Sequence, residues 1–130
     1  MNLRQGPLIS ERRYPRVDQE LPLLFRVLLP EKEKEWISTE TKILGGGGIS
    51  VTSTLSLPVG TFLHAKLKYY ARVIEFTGEI VWTENGVVDG ILQNRYGISF
   101  TQISQDSLLA IHDIIDQFKR RPIQTGLKRA

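Results

Sequence analysis

Short runs of apolar and alternating residues dominate the chain up to position 100, as expected of strands whose successive side chains face opposite sides of a sheet. Residues 21–29 form an apolar run closed by Pro30 and predict a first strand. Glu31-Lys32-Glu33-Lys34-Glu35 reads as a solvated hairpin connection. Residues 36–44 predict a second strand, with Trp36, Ser38, Glu40 and Lys42 alternating against Ile37, Thr39, Thr41 and Ile43. After Gly45-Gly46-Gly47-Gly48, residues 49–53 resume the strand pattern, and Pro58-Val59-Gly60 signals a turn. Residues 61–67 and 72–82 predict two more strands, with Gly78 marking a bulge or a close approach in the second. Asn85-Gly86 and Asp89-Gly90 both read as turns, and residues 95–100 predict a further strand.

The period then changes. Leu108, Ile111, Ile115 and Phe118 recur at helical spacing, widened by Leu109 and Ile114. Ser104 suits the N-cap, Asp106 the first turn and Lys119 to Arg121 the last, and Pro122 is expected to stop the helix. The fold class that follows is mainly β: about six short strands in an antiparallel barrel, with one C-terminal helix over an opening or a face.

Composition narrows the chemistry. The 130 residues suit one domain that needs no staple, and the absence of cysteine excludes disulfide scaffolds, thiolate metal sites and cysteine nucleophiles. It is compatible with a reducing cytoplasm. The net charge of +3 is unevenly spread. Lys119, Arg120, Arg121, Lys128 and Arg129 carry +5 in the last twelve residues, so residues 1–118 sum to −2. The basicity is that of a tail, which argues against general nucleic-acid binding by the body. Neither a spanning apolar segment nor a secretory h-region is present in the sequence.

No nucleophile, base and orienting partner stand out, so no enzymatic constellation is expected. His64 and His112 are the only imidazoles and lie far apart. His112 and Asp116 are four apart on the helix, a spacing that reads as solvent-facing surface before it reads as a metal pair. Arg12-x-x-x-Arg16, with Arg13 between, is more informative. Guanidinium groups grip phosphate oxygens in pairs and stack on bases, and Pro15 keeps the segment extended. From pattern alone it is either an anion clasp or a solvated basic stretch. The four glycines are either a phosphate cradle or a strand corner, and no Gly-Lys-Ser/Thr ending or following helix makes them a P-loop. Trp82 ends an apolar strand and is expected to face the core, while Trp36 follows a charged loop and is open to base stacking.

Taken in order, Glu11-Arg12-Arg13-Tyr14-Pro15-Arg16, the strand into Gly47-Gly48-Ile49, Gly78-Glu79-Ile80-Val81-Trp82, Tyr96-Gly97-Ile98-Ser99-Phe100 and a terminal helix resemble the PilZ domain family over residues 11–121. The resemblance implies a six-stranded antiparallel β-barrel with a C-terminal α-helix. Residues 1–10 would be a flexible lead-in and 122–130 a basic tail. It also implies a cytoplasmic, non-enzymatic receptor or adaptor for cyclic di-GMP, with no cofactor, no specific nucleic acid and no membrane insertion. Such a domain acts in bacterial signalling, motility and biofilm control through a protein partner that the sequence does not identify.

The ligand residues implied are Arg12, Arg13 and Arg16 with Gly45, Gly46, Gly47 and Gly48. The first half of the family signature, Arg-x-x-x-Arg, carries over to Arg12 and Arg16. The place of a further arginine found in many members is taken by Glu11. The second half, Asp/Asn-x-Ser-x-x-Gly, departs: aligned on Gly48, it places Ile43 at the Asp/Asn position and Gly45 at the Ser position. The alternative is therefore a degenerate domain that binds proteins and no nucleotide.

Overall fold

A computed structural model of the chain describes residues 15–28 and 35–129, with side chains through Lys119. Arg12, Arg13, Glu11, the lead-in and residues 31–34 of the charged connection lie outside the described residues. The elements are β1 (Arg16–Asp18), β2 (Pro22–Val27), β3 (Ile37–Gly45), β4 (Gly48–Ser53), β5 (Phe62–Tyr69), β6 (Arg72–Val88), β7 (Ile91–Ile103) and α1 (Gln105–Arg129). Six strands run in the order β3-β2-β5-β6-β7-β4, and β4 pairs back onto β3. All pairings are antiparallel, so the sheet closes into the expected six-stranded barrel and leaves these strands no free edge along the closed ring.

The extra strand, β1, continues the line of β2 along β3. Asp18 lies opposite Ile43 and Pro22 opposite Glu40, so the chain gains one residue between the two pairings. Thr41 pins this irregularity. It is fully buried, its hydroxyl donates to the Gln19 carbonyl at 2.6 Å, and it accepts the Leu21 N–H at 3.0 Å. Thr41→Val keeps the shape but leaves both backbone groups without that partner. It is expected to lower stability by about 2 kcal/mol, read as a lower urea midpoint with an unchanged slope.

Alternation fills the barrel. Leu23 and Phe25 of β2, Leu44 of β3, Ile49 and Val51 of β4, Leu63, Ala65 and Leu67 of β5, Ile74, Phe76 and Ile80 of β6, and Tyr96 and Ile98 of β7 form one core. Tyr96 also ties down the loop after β4: its hydroxyl donates to the Leu55 carbonyl and accepts the Leu57 N–H at 2.9 Å. The α1 helix packs on β1, β3 and β6 and adds Ala110, Ile111, Ile114, Ile115 and Phe118 to the core. Ser104 caps it as expected, accepting the Ser107 N–H at 3.0 Å. Leu109, placed on the edge of the apolar stripe by its spacing, is exposed instead.

Two punctuation signals read differently in the structure. Asn85-Gly86 lies inside β6, where Asn85 pairs with Asn94. The turn is made at Asp89-Gly90, whose φ angles of 53° and 78° supply the two left-handed positions that a tight hairpin needs. Pro122 does not end α1, which continues to Arg129. A proline inside a helix removes one backbone hydrogen bond and crowds the preceding turn without always stopping the helix.

Candidate ligand cleft

The outer wall of the barrel carries a cleft where β1, β3, β4, β7 and β6 run side by side. Its floor follows from strand register. One row across the strands places Arg16 opposite Gly45, and Gly48 opposite Ser99, which in turn faces Glu79. The next row places Asp18 opposite Ile43, Ile43 opposite Ser50, Ser50 opposite Gly97 and Gly97 opposite Trp82. Gly45, Gly48 and Gly97 contribute no side chains to these two rows. The cleft has a volume of about 350 Å³ and is lined by these glycines and Gly47, with Arg16, Ser50, Ser99 and Trp82 as its polar and aromatic groups.

The expected core placement of Trp82 is corrected by a bulge. Ile80 faces Ile98 and is fully buried, so strict alternation would turn Val81 outward and Trp82 inward. The pairing instead skips Val81, and Trp82 rather than Val81 faces Gly97. One extra residue resets the alternation, so Val81 and Trp82 both point outward. Trp82 is 42% exposed. Its indole lies over Gly97, where an added Cβ would fall 2.0 Å from Nε1.

The glycine corner is a tight turn between β3 and β4. Gly46 and Gly47 form the bend, and the Gly47 carbonyl accepts the Phe100 N–H at 3.1 Å, which holds the corner onto β7. None of the four glycines has a positive φ; the positive-φ glycines among the described residues are Gly60 and Gly90. Gly48 is required by packing, because a Cβ there would meet the Ile98 carbonyl oxygen at 2.1 Å. Gly78 sits at the other bulge of β6, where a Cβ would meet the Ile98 side chain at 2.5 Å, so the expectation of a close approach there holds.

Of the residues singled out from sequence, the structure brings Arg16, Gly45, Gly47 and Gly48 into the cleft, and Gly46 into the adjoining turn. Arg16 is exposed, and no described carboxylate forms an ion pair with it. Its guanidinium is thus free to meet an anion at the rim. Ile43, at the family's Asp/Asn position, is a half-buried aliphatic wall. Trp82, Gly97, Ser99 and Ser50 were not expected here.

Trp36 lies elsewhere. It packs against His64 of β5 with centroids 5.3 Å apart, between Arg26 and Lys66, whose charged groups lie 4.7 Å and 4.6 Å from its centroid. A larger cavity of about 1000 Å³ runs along residues 37–42 and 52–57. It contains none of the arginines or glycines of the motif. No helix of the described residues is long and apolar enough to cross a membrane.

The barrel is closed and filled inside, so the cleft that gathers Arg16, the glycines and Trp82 lies on its outer wall. A family model described as PilZ domain matches residues 10–117, and the chain belongs to that family. Solved structures share the fold. Against the Bacillus subtilis inhibitor of motility MotI/DgrA the TM-score is 0.64 at 22% identity, covering 85% of this chain and 53% of that one. The PilZ domain of Escherichia coli YcgR with c-di-GMP gives 0.68 at 19%, covering 90% of this chain and 98% of that one. The longer YcgR in complex with c-di-GMP gives 0.73 at 16%, covering 92% of this chain and 50% of that one. This chain thus spans about half the length of MotI. Comparison with curated proteins gives no match.

Proposed function

We propose that this chain is a non-enzymatic receptor or adaptor domain for cyclic di-GMP. The observation that carries the reading is a single cleft lined by Arg16, which pairs with no described carboxylate, by glycines, and by the exposed indole of Trp82 four strands across the sheet. The guanidinium takes a phosphate in a bidentate grip, the indole offers a face to a guanine, and the glycine floor lets the nucleotide approach the backbone. Arg12 and Arg13, on the segment that leads into β1, add to the grip. Family membership and the YcgR structures with c-di-GMP support the choice of ligand. Binding changes the surface offered to a protein partner. We place this action in the cytoplasm, in the control of motility and surface growth; the description of MotI as an inhibitor of motility supports the former.

Thermal unfolding tests the reading. Cyclic di-GMP is expected to raise the Tm progressively with concentration, as any ligand that binds only the folded state does. An unchanged Tm at high micromolar nucleotide would end it.

The second reading, a protein-interaction module without a nucleotide, is favoured by the aliphatic Ile43 wall and the missing side chain at Gly45. The Ile43→Asp, Gly45→Ser double variant separates the two. A Cβ at Gly45 would lie 3.3 Å from the Arg16 Cβ and 3.4 Å from the Gly48 carbonyl oxygen, so serine fits after a small shift. Restoring two polar contacts is expected to tighten binding about tenfold to a few hundredfold. Binding by the double variant and none by the wild type would establish the module reading.

A further inference from the structure

Among the described residues of the cleft, Ser50 carries a buried side-chain polar atom that the fold leaves without a partner. It sits on β4 between Ile49 and Val51, both buried in the barrel core, so its own side chain is on the outer face. It is nevertheless only 4% exposed, and its hydroxyl oxygen has no hydrogen-bond partner among the described residues. A buried hydroxyl without a partner is costly, because water has been removed and nothing replaces it. An alanine or valine would serve the sheet better. Ser50 also lines the cleft that holds Arg16 and Trp82.

Register fixes what the hydroxyl can reach. Ser50, Gly97 and Trp82 lie in one row, and the indole of Trp82 reaches back over Gly97 toward the strand that carries the hydroxyl. Arg16 lies in the neighbouring row, roughly 7 Å away in the strand direction and two strands across the sheet, and it lines the same cleft. An aromatic face and a hydroxyl in one row suit a planar base. A guanidinium one row over suits the phosphate attached to it. The two positions that would have supplied polar side chains from β3 are Ile43, directly opposite Ser50, and Gly45.

We propose that Ser50 is a ligand-contacting residue of this cleft: its hydroxyl hydrogen-bonds the edge of the base of a bound guanine nucleotide, in place of polar groups absent at Ile43 and Gly45. The inference rests on the receptor reading above. A serine hydroxyl both donates and accepts, so it can serve the carbonyl and ring-nitrogen acceptors of a guanine or its amino donors.

The test is a calorimetric titration of cyclic di-GMP into the wild type and the Ser50→Ala variant, with the Tm of each apo protein. Ser50→Ala is expected to weaken binding about three- to tenfold, the range of one neutral hydrogen bond. Its apo Tm is expected to stay level or rise, since an unsatisfied hydroxyl has been removed. Equal affinities would overturn the role of Ser50 and leave the receptor reading standing. A lower apo Tm with equal affinity would assign the hydroxyl to the fold and overturn the proposal likewise. No heat with either protein would overturn both readings.

Discussion

Arg16→Ala is expected to weaken cyclic di-GMP binding about ten- to a hundredfold while leaving the fold intact. The size follows from the interaction lost. One hydrogen bond to a charged group contributes about 1.5–3 kcal/mol, and solvent at the exposed rim holds the forked contact of a guanidinium on a phosphate to about that value. The fold is spared because the Arg16 side chain is exposed and pairs with no described carboxylate. Exposed substitutions of this kind usually change stability by less than about 0.5 kcal/mol. Arg16→Lys should fall between, since an ammonium keeps the charge and loses the fork. Calorimetry on the three proteins checks the order. Equal affinity of Arg16→Ala and wild type would remove Arg16 from the site.

Gly48→Ala is expected to have the largest effect on stability, a loss of about 3 kcal/mol. The added methyl would meet backbone rather than a side chain: the Ile98 carbonyl oxygen at 2.1 Å, with the Ser99 Cα at 3.1 Å. Relief requires β4 and β7 to separate, and their ladder from Gly48 to Ser53 helps close the barrel. Gly97→Ala provides the contrast. There the three atoms nearest the methyl all belong to the exposed indole of Trp82, a side chain that can swing aside where backbone cannot. Its stability loss is expected to be smaller, and its effect on nucleotide binding larger, because the displaced indole fills the cleft. Urea unfolding and calorimetry on both variants check the pairing. Equal midpoints for Gly48→Ala and wild type would contradict the packing account.

Much of this fold was legible because its determinants are local. Apolar runs located the strands that carry the core residues Leu23, Phe25, Leu63 and Leu67, and the change to helical spacing after Ser104 located α1 and its cap. What stayed illegible depends on pairing between distant segments. The Val81 bulge is visible only when β6 is laid against β7, and without it Trp82 reads as a core residue. Asn85-Gly86 carries the same turn chemistry as Asp89-Gly90, and ladder register decides that the second pair turns. Pro122 carries a local stop signal that the rest of α1 overrides.

The site divides in the same way. Arg16 and the glycine corner announce themselves by composition and spacing. Ser50 and Gly97 are unremarkable letters until four strands place them beside Trp82. The basic tail dominates the net charge. The single exposed guanidinium of β1 matters in the cleft because of where it stands.

Nitrogen-15 NMR reports residue by residue whether cyclic di-GMP docks on the outer wall at Arg16. The chain has two tryptophans, so two indole N–H signals report on two places. Trp82 lines the cleft, and Trp36 packs against His64 and is not among its lining residues. On titration with cyclic di-GMP, the account expects saturable shifts of the Trp82 indole and of the Gly45, Gly47, Gly48 and Gly97 amides, with the Trp36 indole unmoved. A spectrum that does not change, or one whose changes gather around Trp36, would contradict it.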